Sequence, residues 1–116
     1  TPGGQASYAV YSDCKLGEGV SEDDFYNAYK TYAKAARELG DVAGRKMILP
    51  TSGVPSTWDY DFVQLVTTET IADYGKNWTN FWSQATGESM PELKALQDLG
   101  GSCENERTYG IVPVRN

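Results

Sequence analysis

The residues best suited to contact a small molecule in this 116-residue sequence are aromatic: it has three tryptophans, eight tyrosines and three phenylalanines. Aromatic rings provide rigid apolar surface, and tyrosine and tryptophan add a hydrogen-bonding group. Five of these residues recur at helical spacing on two predicted helices: Tyr29, Tyr32, Trp78, Phe81 and Trp82. Two interpretations stay open, because such rings either fill a core or line a cavity between helices and sheet that holds a small molecule.

Other residues extend this candidate ligand site. Trp58 is the one large residue in a loop of small and turn-forming residues, and it could fold over the aromatic cluster. Gln64 interrupts an apolar run, so its amide needs a partner from the chain, from water or from a ligand. The candidate ligand-binding residues are Tyr29, Trp58, Gln64, Trp78, Trp82, Arg107 and Tyr109.

Arg107 and Tyr109 share one face of the last predicted strand. The Arg107 guanidinium would bind the carboxylate of a ligand, or it would form a surface ion pair with Asp13 across the strands. Asp13 would serve as a general base only if burial beside aromatic rings raised its pKa. These interpretations stay open at the level of sequence.

Carboxylates do not form a recognisable metal site. The acidic residues around the first predicted helix start are explained by the helix dipole and lack the spacing of a calcium loop; they are Glu18, Glu22, Asp23 and Asp24. Asp59 and Asp61 are too few for a metal site. Asn77-Trp78-Thr79 matches a glycosylation sequon, but it lies within a predicted helix. We expect neither a metal nor a cofactor.

Composition excludes several function classes. The sequence has no histidine, which excludes Ser-His-Asp and Cys-His catalysis, histidine-ligated haem, and zinc or non-haem iron sites that use histidine. A net charge of −6 leaves no basic surface for nucleic acid or for anionic membranes. The hydrophobic content is enough for the core of one domain. We expect a single domain over residues 1–116, with residues 1–6 as a flexible N-terminal tail.

Local signals define the predicted elements. Ser21 and Asp24 resemble a capping box at a helix start, and Gly40 supplies a left-handed stop. Pro91 and the pair Gly100-Gly101 bracket a short helix. Alternating and helical periodicity then predicts strands at 7–16, 45–50, 61–67 and 104–115, and helices at 22–39, 69–85 and 91–99.

This order predicts an α+β fold of the ferredoxin-like type, a split β-α-β arrangement with a four-stranded antiparallel sheet and helices on one face. The first and third strands are predicted to be parallel neighbours in the centre. The third strand is nearly continuously apolar, which is typical of a strand covered on both faces. The last strand is predicted to run antiparallel beside the first.

Two cysteines, Cys14 and Cys103, lie 89 positions apart. They are either two unrelated buried thiols or a disulfide, since the predicted fold brings the end of the first strand to the start of the last. A disulfide would imply export to the periplasm or the outside of the cell. The chain starts at Thr1 without an initiator methionine, which fits signal-peptide removal or trimming. We expect no membrane span, because no apolar run is long enough.

With these elements in place, the chain resembles the dimeric α+β barrel superfamily, small ferredoxin-like proteins whose sheets pack face to face in pairs. The resemblance covers residues 7–115 and depends on element order and aromatic patterning. Its members include cofactor-free monooxygenases, haem degraders, isomerases and polyketide cyclases. The absence of histidine separates this chain from the haem-binding branches and from isomerases with a histidine base.

A sheet with helices on one face leaves the other face bare. Apolar residues alternate onto a common side of the predicted strands, and a patch of that size is unusual on a monomer; they are Ala9, Tyr11, Met47, Leu49, Val63, Leu65, Val112 and Val114. Which side of the strands faces the helices stays open, because both sides carry large apolar residues. In either case we expect a homodimer that buries the bare face. The function predicted first is binding of a small apolar or amphipathic ligand, such as a fatty acid or an aromatic metabolite. The alternatives are a cofactor-free monooxygenase- or isomerase-like enzyme, or a structural dimer with a filled core.

Overall fold

The fold is a four-stranded sheet with helices packed on one side. The computed structural model describes residues 7–115, so the predicted N-terminal tail lies outside the described residues. The elements, in chain order, are β1 (Ser7–Lys15), α1 (Glu22–Glu38), β2 (Gly44–Ile48), β3 (Phe62–Thr68), α2 (Ile71–Asn77), a π-helical turn (Trp78–Trp82), α3 (Pro91–Asp98) and β4 (Ser102–Ile111). None of the helices among these residues is long and apolar enough to span a membrane.

The strand order is β2-β3-β1-β4, and every neighbouring pair is antiparallel. The α+β class and the ferredoxin-like arrangement are confirmed. The predicted parallel pairing of β1 with β3 is wrong. The α1 crossover returns the chain so that β2 points the same way as β1. Because β3 lies between these two strands and pairs antiparallel with β2, it must oppose β1 as well.

The predicted caps of α1 are present. The Ser21 hydroxyl accepts a hydrogen bond from the Asp24 backbone N–H, and the Asp24 carboxylate accepts one from the Ser21 N–H. These bonds satisfy two donors that the start of a helix leaves unpaired. Gly40 has a φ of 107°, a conformation that favours glycine, and it ends the helix as predicted.

The helix predicted over 69–85 is shorter and irregular. α2 ends at Asn77, and the next five residues form a π-helical turn, in which the Ser83 N–H donates to the Trp78 carbonyl at 2.9 Å. The extra residue in this turn shifts the apolar stripe. Phe81 is buried, whereas Trp78 is 53% and Ile71 66% exposed. The expected inward position of Trp78 is therefore wrong.

Strand alternation separates the sheet into a helix-facing side and an open face. Val10 and Val66 pack beneath the helices, whereas Tyr11 and Leu65 oppose each other on the open face. Met47, grouped by the predicted alternation with Tyr11 and Leu65, lies on the other side and packs with the helices. Val112 and Val114 lie beyond the end of β4. Within residues 7–115 the helices cover one side only, so β3 is not covered on both faces.

Cys14 and Cys103 form a disulfide, as the fold prediction favoured. The two residues oppose each other in the β1–β4 register. Two glycines allow the backbone segments beside the disulfide to approach each other closely. A Cβ at Gly101 would lie 2.5 Å from the Lys15 carbonyl oxygen, and a Cβ at Gly17 would lie 2.0 Å from the Leu99 carbonyl oxygen. The backbone after β1 can therefore touch the turn that leads into β4.

We predict that reducing this disulfide destabilises the protein by about 4 kcal/mol, because the bridge closes a long loop in the unfolded chain. Urea unfolding with and without reductant measures the difference. The double variant Cys14→Ala/Cys103→Ala is the control and should not respond to reductant. Two titratable thiols in the unfolded, unreduced protein would contradict the pairing.

Candidate functional site

The helix–sheet interface is built around a buried arginine. Arg45 lies on the helix-facing side of β2, and its side chain is 6% exposed. Its Nε donates to Asp41 Oδ2 at 3.1 Å, and its Nη2 lies 3.0 Å from the same oxygen. The guanidinium also lies over two rings, 5.3 Å from the centroid of Tyr32 and 4.8 Å from that of Trp82. Pairing and ring contact together offset part of the cost of burying this cation.

Asp41 is held in turn by neighbours from two elements. Asn77 Nδ2 donates to Asp41 Oδ1 at 2.7 Å, and the Ala43 N–H donates to the same oxygen at 3.3 Å. Asn77 Oδ1 accepts from the Val42 N–H at 3.1 Å. The end of α2 is thereby tied to the turn between α1 and β2. Asn77 is buried, and both its Oδ1 and its Nδ2 are hydrogen-bonded. A glycan on this sequon would therefore disrupt the contact between α2 and the turn.

A cavity of about 390 Å³ opens beside Arg45, between α1 and β2. Its walls combine aromatic and aliphatic side chains with basic ones: Tyr26, Tyr29, Lys30, Ala33, Arg45, Lys46 and Met47. A volume of this size is within the usual range for small-molecule sites. The interface between helices and sheet is therefore not filled completely by the chain itself.

Three buried polar atoms in this region make no hydrogen bond among residues 7–115: Tyr29 Oη, Trp82 Nε1 and Arg45 Nη2. Arg45 Nη2 lies at ion-pair distance from Asp41 Oδ2 but is not aligned for a hydrogen bond with it. Buried polar groups are nearly always paired, so an unpaired group calls for an explanation such as an absent water or ligand. Tyr29 and Arg45 both line the cavity. Burial raises the pKa of Tyr29 above its ordinary value of 10.0, and the nearby Arg45 cation offsets part of that rise. The phenol therefore stays protonated at neutral pH and can donate a hydrogen bond.

Four of the seven predicted site residues lie on the helix side. Tyr29 and Trp82 both adjoin Arg45. Gln64 lies close enough to the Tyr29 hydroxyl to affect its pKa, and its Oε1 is 3.6 Å from the sulfur of Cys103. Trp78 is exposed but contacts Trp82 edge to face, with ring centroids 5.9 Å apart.

Trp58, Arg107 and Tyr109 lie on the open face, so the structure divides the predicted site in two. Trp58 does not fold over the helical rings: it lines a groove with Asp13 and Arg107. Tyr109 contacts Tyr11 edge to face at 5.3 Å. Strand alternation is the reason, because the side chains at 107 and 109 point away from the helices. One ligand cannot contact Tyr29 and Arg107 together through the sheet.

Asp13 and Arg107 form the ion pair that was one of the two sequence interpretations. Arg107 Nη2 lies 3.2 Å from Asp13 Oδ1, and Asn105 Nδ2 donates to the other oxygen at 3.2 Å. Asn105 has a φ of 59° and lies where the β1–β4 register shifts. Burial acts to raise the pKa of Asp13, but these hydrogen bonds outweigh burial and hold the pKa below 3.8. The condition for Asp13 as a general base is therefore not met.

Sequence reasoning missed Arg45 and Asp41. Arg45 shares its strand face with Met47, and a charged residue at a helix-facing position indicates a buried cation that needs a partner. Asp41 lies four residues earlier, just after the Gly40 stop. The pairing of Arg45 with Asp41 can be predicted once the inward face of β2 is known, but the sequence alone does not decide which face that is.

We predict that Asp41→Asn destabilises the protein by about 3 kcal/mol, because it leaves the Arg45 cation buried without its counter-charge. Asp59→Asn is the matched control. Asp59 pairs with Lys15 at 2.9 Å but is 90% exposed, so its loss should cost less than about 1 kcal/mol. Urea unfolding of both variants provides the measurement. Equal losses of unfolding free energy in the two variants would show that the buried pair contributes no more to stability than the exposed pair.

No family model matches the sequence, and no curated protein matches it. Among solved structures, SnoaB, a cofactor-independent oxygenase from Streptomyces nogalater, is similar with a TM-score of 0.52 and 10% identity, over 96% of this chain and 95% of its own. A hypothetical protein from Arabidopsis thaliana is similar with a TM-score of 0.50 and 12% identity, over 97% and 91%. At such identities the likeness is one of fold. The chain thus has a ferredoxin-like α+β fold.

Proposed function

We propose that this protein binds a small amphipathic ligand, with an acyl or aromatic body, in the cavity between α1 and β2. The observation that carries the proposal is the coincidence of that cavity with two buried donors that make no hydrogen bond within residues 7–115. They are Tyr29 Oη and Arg45 Nη2, the second of which is ion-paired with Asp41 on one side. A ligand oxygen would satisfy them. Tyr26 and Met47 provide apolar wall for the rest of the molecule.

The donors are held in place before any ligand arrives. Asp41 fixes one side of the Arg45 guanidinium, and the rings of Tyr32 and Trp82 fix its plane. A rigid donor loses little conformational entropy when it binds. Such preorganisation is typical of sites in which a few polar groups orient a mostly apolar ligand.

We predict that Tyr29→Phe weakens binding about tenfold, the usual effect of losing one buried hydrogen bond. Denaturing the purified protein and extracting it for mass spectrometry identifies any ligand carried through purification. Calorimetry with fatty acids and aromatic compounds then compares the variants. Tyr109→Phe, on the open face, is the matched control and should bind as the unaltered protein does. Finding no extractable ligand and no binding would contradict the proposal.

An enzymatic role is the alternative. It has the fold likeness to SnoaB in its favour, but Asp13 does not meet the condition set for a general base. Oxygen consumption with a panel of quinols or anthrones, abolished by Trp82→Phe, would replace the binding proposal with a cofactor-free oxygenase.

A homodimer formed through the open face is part of the same proposal. Leu65 and Tyr11 oppose each other there, and the neighbouring Ile48 and Tyr109 are 39% and 50% exposed in the single chain. The disulfide supports location in an oxidising compartment, periplasmic or extracellular, and we propose that location with it.

We predict that Leu65→Glu converts the dimer into a monomer, because it places a charge in the centre of the apolar face. Sedimentation velocity at micromolar concentration measures the change. Ile71→Glu is the control, since this residue is exposed at the start of α2 on the other side of the sheet. A monomeric unaltered protein at that concentration would overturn the dimer.

A further inference from the structure

The cavity between α1 and β2 is basic in an acidic protein. The chain carries a net charge of −6 and ten basic residues, yet three of the ten line this one cavity: Lys30, Arg45 and Lys46. No carboxylate lines it. Within the described part of the chain, neither lysine is within ion-pair distance of a carboxylate.

The three cations have different roles. Asp41 already offsets the charge of Arg45, so Arg45 contributes aligned donors more than net charge. Lys30 supplies surplus positive charge at the exposed rim, whereas Lys46 opposes Leu65 in the sheet, so its side chain is directed to the open face. Lys30 is held at the rim over the ring of Tyr26, with Nζ 5.9 Å from its centroid. The two atoms of the cavity wall that make no hydrogen bond are donors, since the neutral Tyr29 phenol presents an O–H group and the guanidinium presents N–H groups.

A second groove continues from the cavity and has the opposite charge. Tyr26 and Met47 line both, and the second groove is completed by Glu22, Asp23 and Leu49. An extended ligand would therefore have its head among cations, its body along Tyr26 and Met47, and its far end near two carboxylates. The far end would reject a negative group, because like charges repel at short range.

We infer that the ligand is a monoanionic amphiphile: one carboxylate on an acyl or aryl body, with the carboxylate toward Arg45 and Lys30. This inference rests on the proposed function and specifies the ligand class of the same site. It follows from the placement of charge at the two ends of a continuous apolar groove.

Calorimetry with three probes that share an eight-carbon chain tests the inference: octanoate, 1-octanol and octanedioate. We expect octanoate to bind at least tenfold more tightly than the other two, and its affinity to fall with added salt. The aryl pair 4-phenylbutyrate and 4-phenylbutanol repeats the comparison and shows which body the site prefers.

Charge variants identify the side chains that attract the carboxylate. Lys30→Gln should weaken octanoate binding about two- to fivefold, as expected for an exposed charge, and leave octanol binding unchanged. Lys46→Gln should have little effect, because its side chain lies on the other side of the sheet. Lys76→Gln on α2 makes the same change of charge away from the cavity and should have no effect. Glu22→Gln/Asp23→Asn should improve octanedioate binding selectively.

The outcomes separate the two levels of the proposal. Equal binding of octanoate and octanol, insensitive to Lys30→Gln, would overturn the monoanion while leaving an amphipathic ligand in place. Binding of none of the acyl or aryl probes, together with no extractable ligand, would overturn the proposed function itself.

Discussion

The buried ion pair between Arg45 and Asp41 is the interaction on which the helix–sheet interface depends. Taking both charges out of water is costly, and their attraction offsets that cost only with good geometry and further hydrogen bonds. The structure supplies both: Asn77 and the Ala43 N–H bind Asp41 Oδ1, and Arg45 Nε binds Oδ2. The turn after α1, the strand β2 and the end of α2 are joined at this one point.

The same constraint produces the candidate site. A guanidinium paired on one side and covered by Tyr32 and Trp82 keeps its remaining donor in a fixed direction. An apolar pair of similar volume would often stabilise the fold as well or better, so stability alone gives no reason to bury a charge here. Orientation of a donor beside a cavity does give such a reason.

Local signals made much of the fold predictable. The Ser21–Asp24 capping box, the Gly40 stop and the Pro91 helix start are all present, and element order led to the Cys14–Cys103 pairing. The sequence could not reveal which face of each strand meets the helices. That choice depends on contacts distant in sequence, and it decides the positions of Met47, Arg107 and Tyr109. The π-helical turn was also hidden, because its residues fit an ordinary helical stripe.

Strand alternation has a further consequence for how the molecule works. The cavity is made from α1 and β2 of one chain, whereas the apolar open face lies on the opposite side of the sheet. A partner docked on that face would leave the rim of the cavity uncovered, and each chain would keep a complete site. Binding and association are then separable functions of the two faces of one sheet. A variant that abolishes ligand binding should therefore leave association intact, and a variant that abolishes association should leave ligand binding intact.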